Sequence, residues 1–146
     1  MINFKDITTA LYDLLVASNT EAKTYVITRN SAVNDNPNTA TQGWIGIYRD
    51  GVDYAPHSSG PRPWLATIKI RVEIQSASMA GHEDCEDRLD EMESFVISAI
   101  ESDRTLGGYV NIITGYSFDY SDAYNPDELE IYFQSSALII TAEVRA

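Results

Sequence analysis

The sequence predicts an α+β domain in which one antiparallel or mixed β-sheet carries two helices packed on one face, in the order α-β-β-β-α-β-β. Two segments repeat apolar residues at helical spacing. One long segment alternates apolar and polar residues at the two-residue period of a strand. The other ordered runs are rich in β-branched and aromatic residues. With 146 residues the chain is one domain's length, enough to bury a core and short for two.

The first helix is read from Phe4 to Ala17, where Ile7, Leu11, Leu14 and Leu15 recur at i, i+4, i+7 and i+8. Ser18-Asn19-Thr20 ends it, because these side chains compete for backbone hydrogen bonds. TYVITR (24–29) and GWIGIYR (43–49) read as strands. The clearest strand is WLATIKIRVEIQ (64–75), with Trp64, Ala66, Ile68, Ile70, Val72 and Ile74 on one face and Thr67, Lys69, Arg71, Glu73 and Gln75 on the other.

A second helix spans about 79–102, with Cys85, Leu89, Met92, Val96, Ala99 and Ile100 in its stripe and SDRTLGG as a glycine stop. Strands at about 109–120 and 128–144 follow, separated by the turn-forming SDAYNPDE. In the last strand the apolar set moves from odd positions (Leu129, Ile131, Phe133) to even ones (Leu138, Ile140, Ala142, Val144), which predicts a bulge near Ser135-Ser136. The single domain, 1–146, is expected to keep two long loops, at about 30–42 and 50–63. Loops of that length in a compact domain are typically binding segments.

Composition narrows the function. The chain is 44% hydrophobic, which suits a folded protein despite a net charge of −12. No apolar run approaches the ~20 residues that cross a bilayer, and the N-terminus lacks the basic and apolar regions of a secretory signal. Ten bases are scattered among 22 acids, so no clustered cationic footprint for nucleic acid is present. The single cysteine, Cys85, excludes an internal disulfide.

The stretch HEDCEDRLDEME (82–93) is the one concentration of potential chemistry. His82 and Glu86 lie one helical turn apart and Cys85 could add a soft ligand, so a small metal-dependent enzyme using His82, Glu86 and Cys85 is the rival reading. Against it, Cys85 falls on the apolar stripe, while Glu83, Glu86, Asp87, Asp90 and Glu93 spread around the remaining circumference. Acids in a helix's first turns are favoured by the macrodipole, and Arg88 has Asp84 and Glu91 within helical reach. GxSxG, HExxH, CxxC and GxxxxGK[ST] are all absent. We therefore expect no enzyme, no catalytic or metal residues and no cofactor.

LDEMESFVISAIESDRTLGGYV, followed by an aromatic-rich segment and YFQSSALIITAEV, resembles the tail terminator proteins of long-tailed bacteriophages. GWIGIYRDG ahead of a long alternating strand is similar to the same family, and the likeness runs from about Trp44 to the C-terminus. It implies a non-enzymatic virion protein: a homo-oligomeric ring of six subunits that caps the tail tube, ends tail polymerisation and offers the surface that joins the head. The implied partners are other copies of the chain, the tail tube protein and the head–tail connector protein. DNA would pass through the lumen without specific binding, and no membrane is involved. The implied location is the tail or neck of the virion, assembled in the bacterial host cytoplasm. A head–tail connector or tail-completion protein is the alternative within the same class.

A ring of identical subunits needs two different patches that meet head to tail. Interface anchors favour Trp, Tyr and Arg, so Trp64, Tyr54 and Arg62 in or beside the second loop are the candidates, with Arg49 and Arg71 for charge pairing. The acidic balance suits a lumen that repels the duplex.

Overall fold

The computed structural model describes residues 3–19, 25–29, 43–56, 64–120 and 131–145. The order is α1 (Phe4–Ser18), β1 (Val26–Arg29), β2 (Trp44–Pro56), β3 (Trp64–Ser78), α2 (His82–Ser102), β4 (Ile112–Tyr120) and β5 (Tyr132–Arg145). The strands form one sheet in the order β1-β2-β3-β5-β4. It is mixed, because β1 runs parallel to β2 while every other neighbouring pair is antiparallel.

Both helices bury their stripes on the same side of this sheet. Ile7, Leu11 and Leu15 of α1 join Leu89, Met92, Phe95, Val96 and Ile100 of α2 over Ile45, Ile47, Ile68, Ile70, Val72, Ile74, Leu138 and Ile140. The predicted core face of β3 is buried from Ala66 to Ile74. The other side of the sheet carries Thr67, Lys69, Arg71, Glu73 and Gln75, and among the described residues no helix covers it.

Local chemistry sets the helix ends. Asn3 caps α1 by accepting a hydrogen bond from the Asp6 backbone N–H at 3.3 Å. Asn19 ends it and ties the chain to Tyr25, its amide donating to the Tyr25 carbonyl at 3.0 Å while its own oxygen accepts from Tyr25 N–H at 3.2 Å. After α2 the Asp103 carboxylate accepts from Thr105 N–H, Thr105 Oγ1 and Gly107 N–H. Those bonds hold its pKa below the ordinary aspartate range. They also fix a left-handed turn at Leu106, Gly107 and Gly108, whose φ angles are 49°, 71° and 90°. Two adjacent glycines adopt that region at low cost, and buried Leu106 is carried into the core.

Several sequence expectations need correction. The predicted loop at 50–63 is strand through Pro56: β2 pairs with β3 as far as Pro56↔Trp64, and its irregularity is a register shift between Arg49 and Gly51. Asp50-Gly51 reads as a turn but serves as a bulge. The remainder of that loop, and the expected loop at 30–42, lie outside the described residues. The second helix starts at His82 rather than 79, and β4 begins at Ile112 because residues 109–111 belong to the turn built on Asp103.

The bulge expected near Ser135-Ser136 is absent: β3 and β5 pair without a shift from Leu65↔Arg145 to Ser78↔Tyr132. Even positions face the helices throughout β5. Their N-terminal members, Tyr132, Gln134 and Ser136, are polar and meet a polar patch around Ser76, Cys85 and Glu93. The hydrophobic pattern changes parity there although the backbone does not. A shift does occur in β4, between Ile113 and Gly115.

Candidate functional site

The proposed metal constellation does not converge. Cys85 is fully buried, with its Sγ 3.2 Å from Ser76 Oγ, and burial pushes its thiol pKa up. His82 is exposed and packs edge-on against Tyr132, with ring centroids 4.3 Å apart. Glu86 is exposed. Among the described residues no three His, Cys, Asp or Glu side chains form a group able to hold a metal ion. Arg88 pairs with Asp84 at 2.8 Å, as helical spacing predicts.

One member of the acidic stretch behaves differently from its neighbours. Glu93 is buried at 8% exposure, and its carboxylate accepts from Tyr120 OH at 3.1 Å and Ser136 Oγ at 3.2 Å. The sequence reading put it on the wet circumference. Its position beside Met92 and three residues before Val96 places it at the stripe's edge, facing β4 and β5. Burial raises its pKa above the ordinary glutamate value, and Asp90 adds to the effect while the two hydroxyls oppose it. Glu101 accepts from Tyr116 OH at 2.6 Å, so two Tyr–Glu bonds join β4 to α2. Burial and Glu101 push the Tyr116 hydroxyl up to about 12.

A raised carboxyl pKa adds stability below the unfolded-state value and loses it as pH rises through the folded-state value. Glu93→Gln is neutral at every pH, so its melting temperature should gain on wild type as the pH is raised from about 5 upward. Thermal melts across that range check this. A constant difference would mean that the carboxyl titrates as it does in water.

Two concavities flank β4. On the helix side, a groove of about 550 Å³ runs between α2 and β4, lined by Asp90, Glu93, Ser94, Ile97, Ser98 and Phe118. On the bare side, a groove of about 310 Å³ crosses the sheet between Trp44 of β2 and Asp119 of β4, with Glu73, Gln75 and Ser135 between them. Among the described residues neither is lined by Lys or Arg.

The bare face has a further property. Among the described residues the buried side-chain polar atoms without a partner are Thr28 Oγ1, Trp44 Nε1 and Arg71 Nε, and strand register puts all three residues on this side. Arg71 also pairs with Glu73 at 3.0 Å and sits 5.5 Å above the Tyr48 ring.

Of the interface candidates whose side chains are described, Arg49, Tyr54 and Arg71, no two are cross-strand partners. Arg49 is exposed beside the β2 bulge, and Tyr54 is exposed at 47% near the far end of the β2–β3 hairpin. Arg71 is half-buried at the centre of the bare face. Trp64 opens β3 opposite Pro56. Arg62 lies outside the described residues.

No protein-family model and no curated protein matches the chain. Among solved structures, it is similar to a chain in the virion of a native gene transfer agent particle. That match has 12% identity, covers 93% of each chain and has a TM-score of 0.40. No helix among the described residues is long and apolar enough to cross a membrane.

Proposed function

We propose that the protein is a non-enzymatic virion assembly protein of a long-tailed phage, a tail terminator that acts by forming a ring on the end of the tail tube. The observation that carries this reading is the bare sheet face. Buried polar atoms without partners are costly, at roughly 1–3 kcal/mol each, and such groups are normally satisfied. Three of them lie beneath a face that no helix covers among the described residues, and a sheet face left open in this way offers a surface on which another chain can pack.

The sequence resemblance adds the kind of assembly, a closed ring of about six copies built from heterologous contacts. Arg71 and Tyr48 lie on the bare face, and Arg49, Tyr54, Arg62 and Trp64 are the further contact residues of the ring. Tyr54 suits the role as an aromatic side chain left exposed on a rigid strand. The tail tube and the head–tail connector dock on the ring's two ends. Genomic DNA passes through a lumen whose acidic walls do not hold it, consistent with the net charge of −12.

Mass in solution tests the reading, by light scattering on the protein alone and then with a tail-tube protein. The expected result is a ring of about six copies, or a smaller species recruited to tube ends. A monomer that ignores tail tubes would overturn it.

A further inference from the structure

β4 is an edge strand, and the two ends of its outer side differ. At the N-terminal end Arg104 blocks it, since Ile113 N–H donates to the Arg104 carbonyl at 3.0 Å and the Arg104 guanidinium returns a bond to the Ile113 carbonyl at 2.8 Å. From Gly115 to Tyr120, β4 pairs with β5 alone among the described residues. An edge of this kind is a template for another strand unless something blunts it.

The two concavities described above lie on opposite sides of that open stretch. A strand added along it would send alternate side chains to the two faces, one row toward each groove. The helix-side groove has an apolar floor of Ile97 and Phe118 with exposed Asp90 beside it. Long basic side chains suit that arrangement, because the aliphatic stem packs on the floor while the charged head reaches the carboxylate. On the other side, Glu73 is held by Arg71, leaving exposed Asp119 as the groove's acid without an ion pair among the described residues.

We propose that the outer edge of β4, from Gly115 to Tyr120, takes up an extended basic segment of another protein as an added strand. Backbone hydrogen bonds supply the affinity, and Asp90 and Asp119 select positive side chains on the two faces. A monomer carries all parts of the site, and its bare-side half borders the face that the proposed ring covers, so binding is measured on the monomeric fraction.

The test uses a labelled peptide of about eight residues in repeating Lys-Lys-Val-Val order, which puts lysine on both faces of an added strand, with a Glu-Glu-Val-Val peptide as control. Anisotropy should show binding of the lysine peptide only, weakening several-fold between about 50 and about 300 mM salt. Amides of Gly115–Tyr120 should exchange more slowly when it binds. Asp90→Lys with Asp119→Lys should lose about tenfold or more in affinity. Asp13→Lys with Asp53→Lys makes the same charge change on α1 and β2, across β3 and β5 from the β4 edge, and should lose less than about threefold.

Equal losses in the two double variants, unchanged exchange at 115–120, or no binding by folded wild-type protein would each overturn the site. Protection of the same amides without peptide, growing with protein concentration, would overturn the choice of occupant, since a second copy would then fill the edge.

Discussion

Ile70→Ala should be among the most damaging single substitutions in this protein, lowering stability by roughly 2–5 kcal/mol. Ile70 is fully buried on the central strand, flanked in register by Arg49 and Ile140, and lies beneath the helices. Neighbours on every side limit how far the site can collapse, so the cost belongs in the upper part of the range. A domain of this size loses about 2–4 °C per kcal/mol, which predicts a drop of roughly 8–16 °C in melting temperature. Urea unfolding should show a lower midpoint with an unchanged slope.

Ile139→Ala is the companion measurement. Ile139 neighbours Ile140 in the chain but faces the bare side, half-buried opposite Arg71. It should cost less than half as much as Ile70→Ala. Equal costs would mean that both faces of the sheet are packed alike, and the bare face would lose its standing as an open surface.

That contrast between faces was legible in the sequence of β3, because a strand buried on one side must alternate. The helices were legible for the same reason. Reading failed where polar residues occupy core-facing positions or turn-like residues occupy strands. Asp50-Gly51 hid the second half of β2, since the pair suits a turn equally well and only pairing with β3 decides. Ser136 and Glu93 satisfy each other across 43 residues. Each alone resembles a surface residue, so a period-based reading places both in water. The two grooves beside β4 depend on which strands become neighbours, and local sequence carries no record of the order β1-β2-β3-β5-β4. The motif D-x-T-L-G-G, read as a helix stop, proved to be a turn whose bonds converge on one carboxylate, that of Asp103.

Gly46→Val should cost about 3 kcal/mol, for a reason unrelated to backbone freedom. A Cβ at Gly46 would lie 2.4 Å from Trp44 Cη2 and 2.8 Å from Cζ2. The indole lies across the glycine on the bare face and is itself 4% exposed, so a rigid buried ring has to move. Strand propensity works the other way and would favour valine over glycine by up to about 1 kcal/mol on a flat strand. The sign of the net effect therefore depends on Trp44. In a Trp44→Ala background the clash vanishes and the propensity term remains, so Gly46→Val should there be neutral or stabilising. Urea unfolding of the four proteins measures the coupling. If valine costs the same with and without the indole, the glycine is required for something other than the ring, and the wall of the bare-side groove is not set by the packing of Trp44 on Gly46.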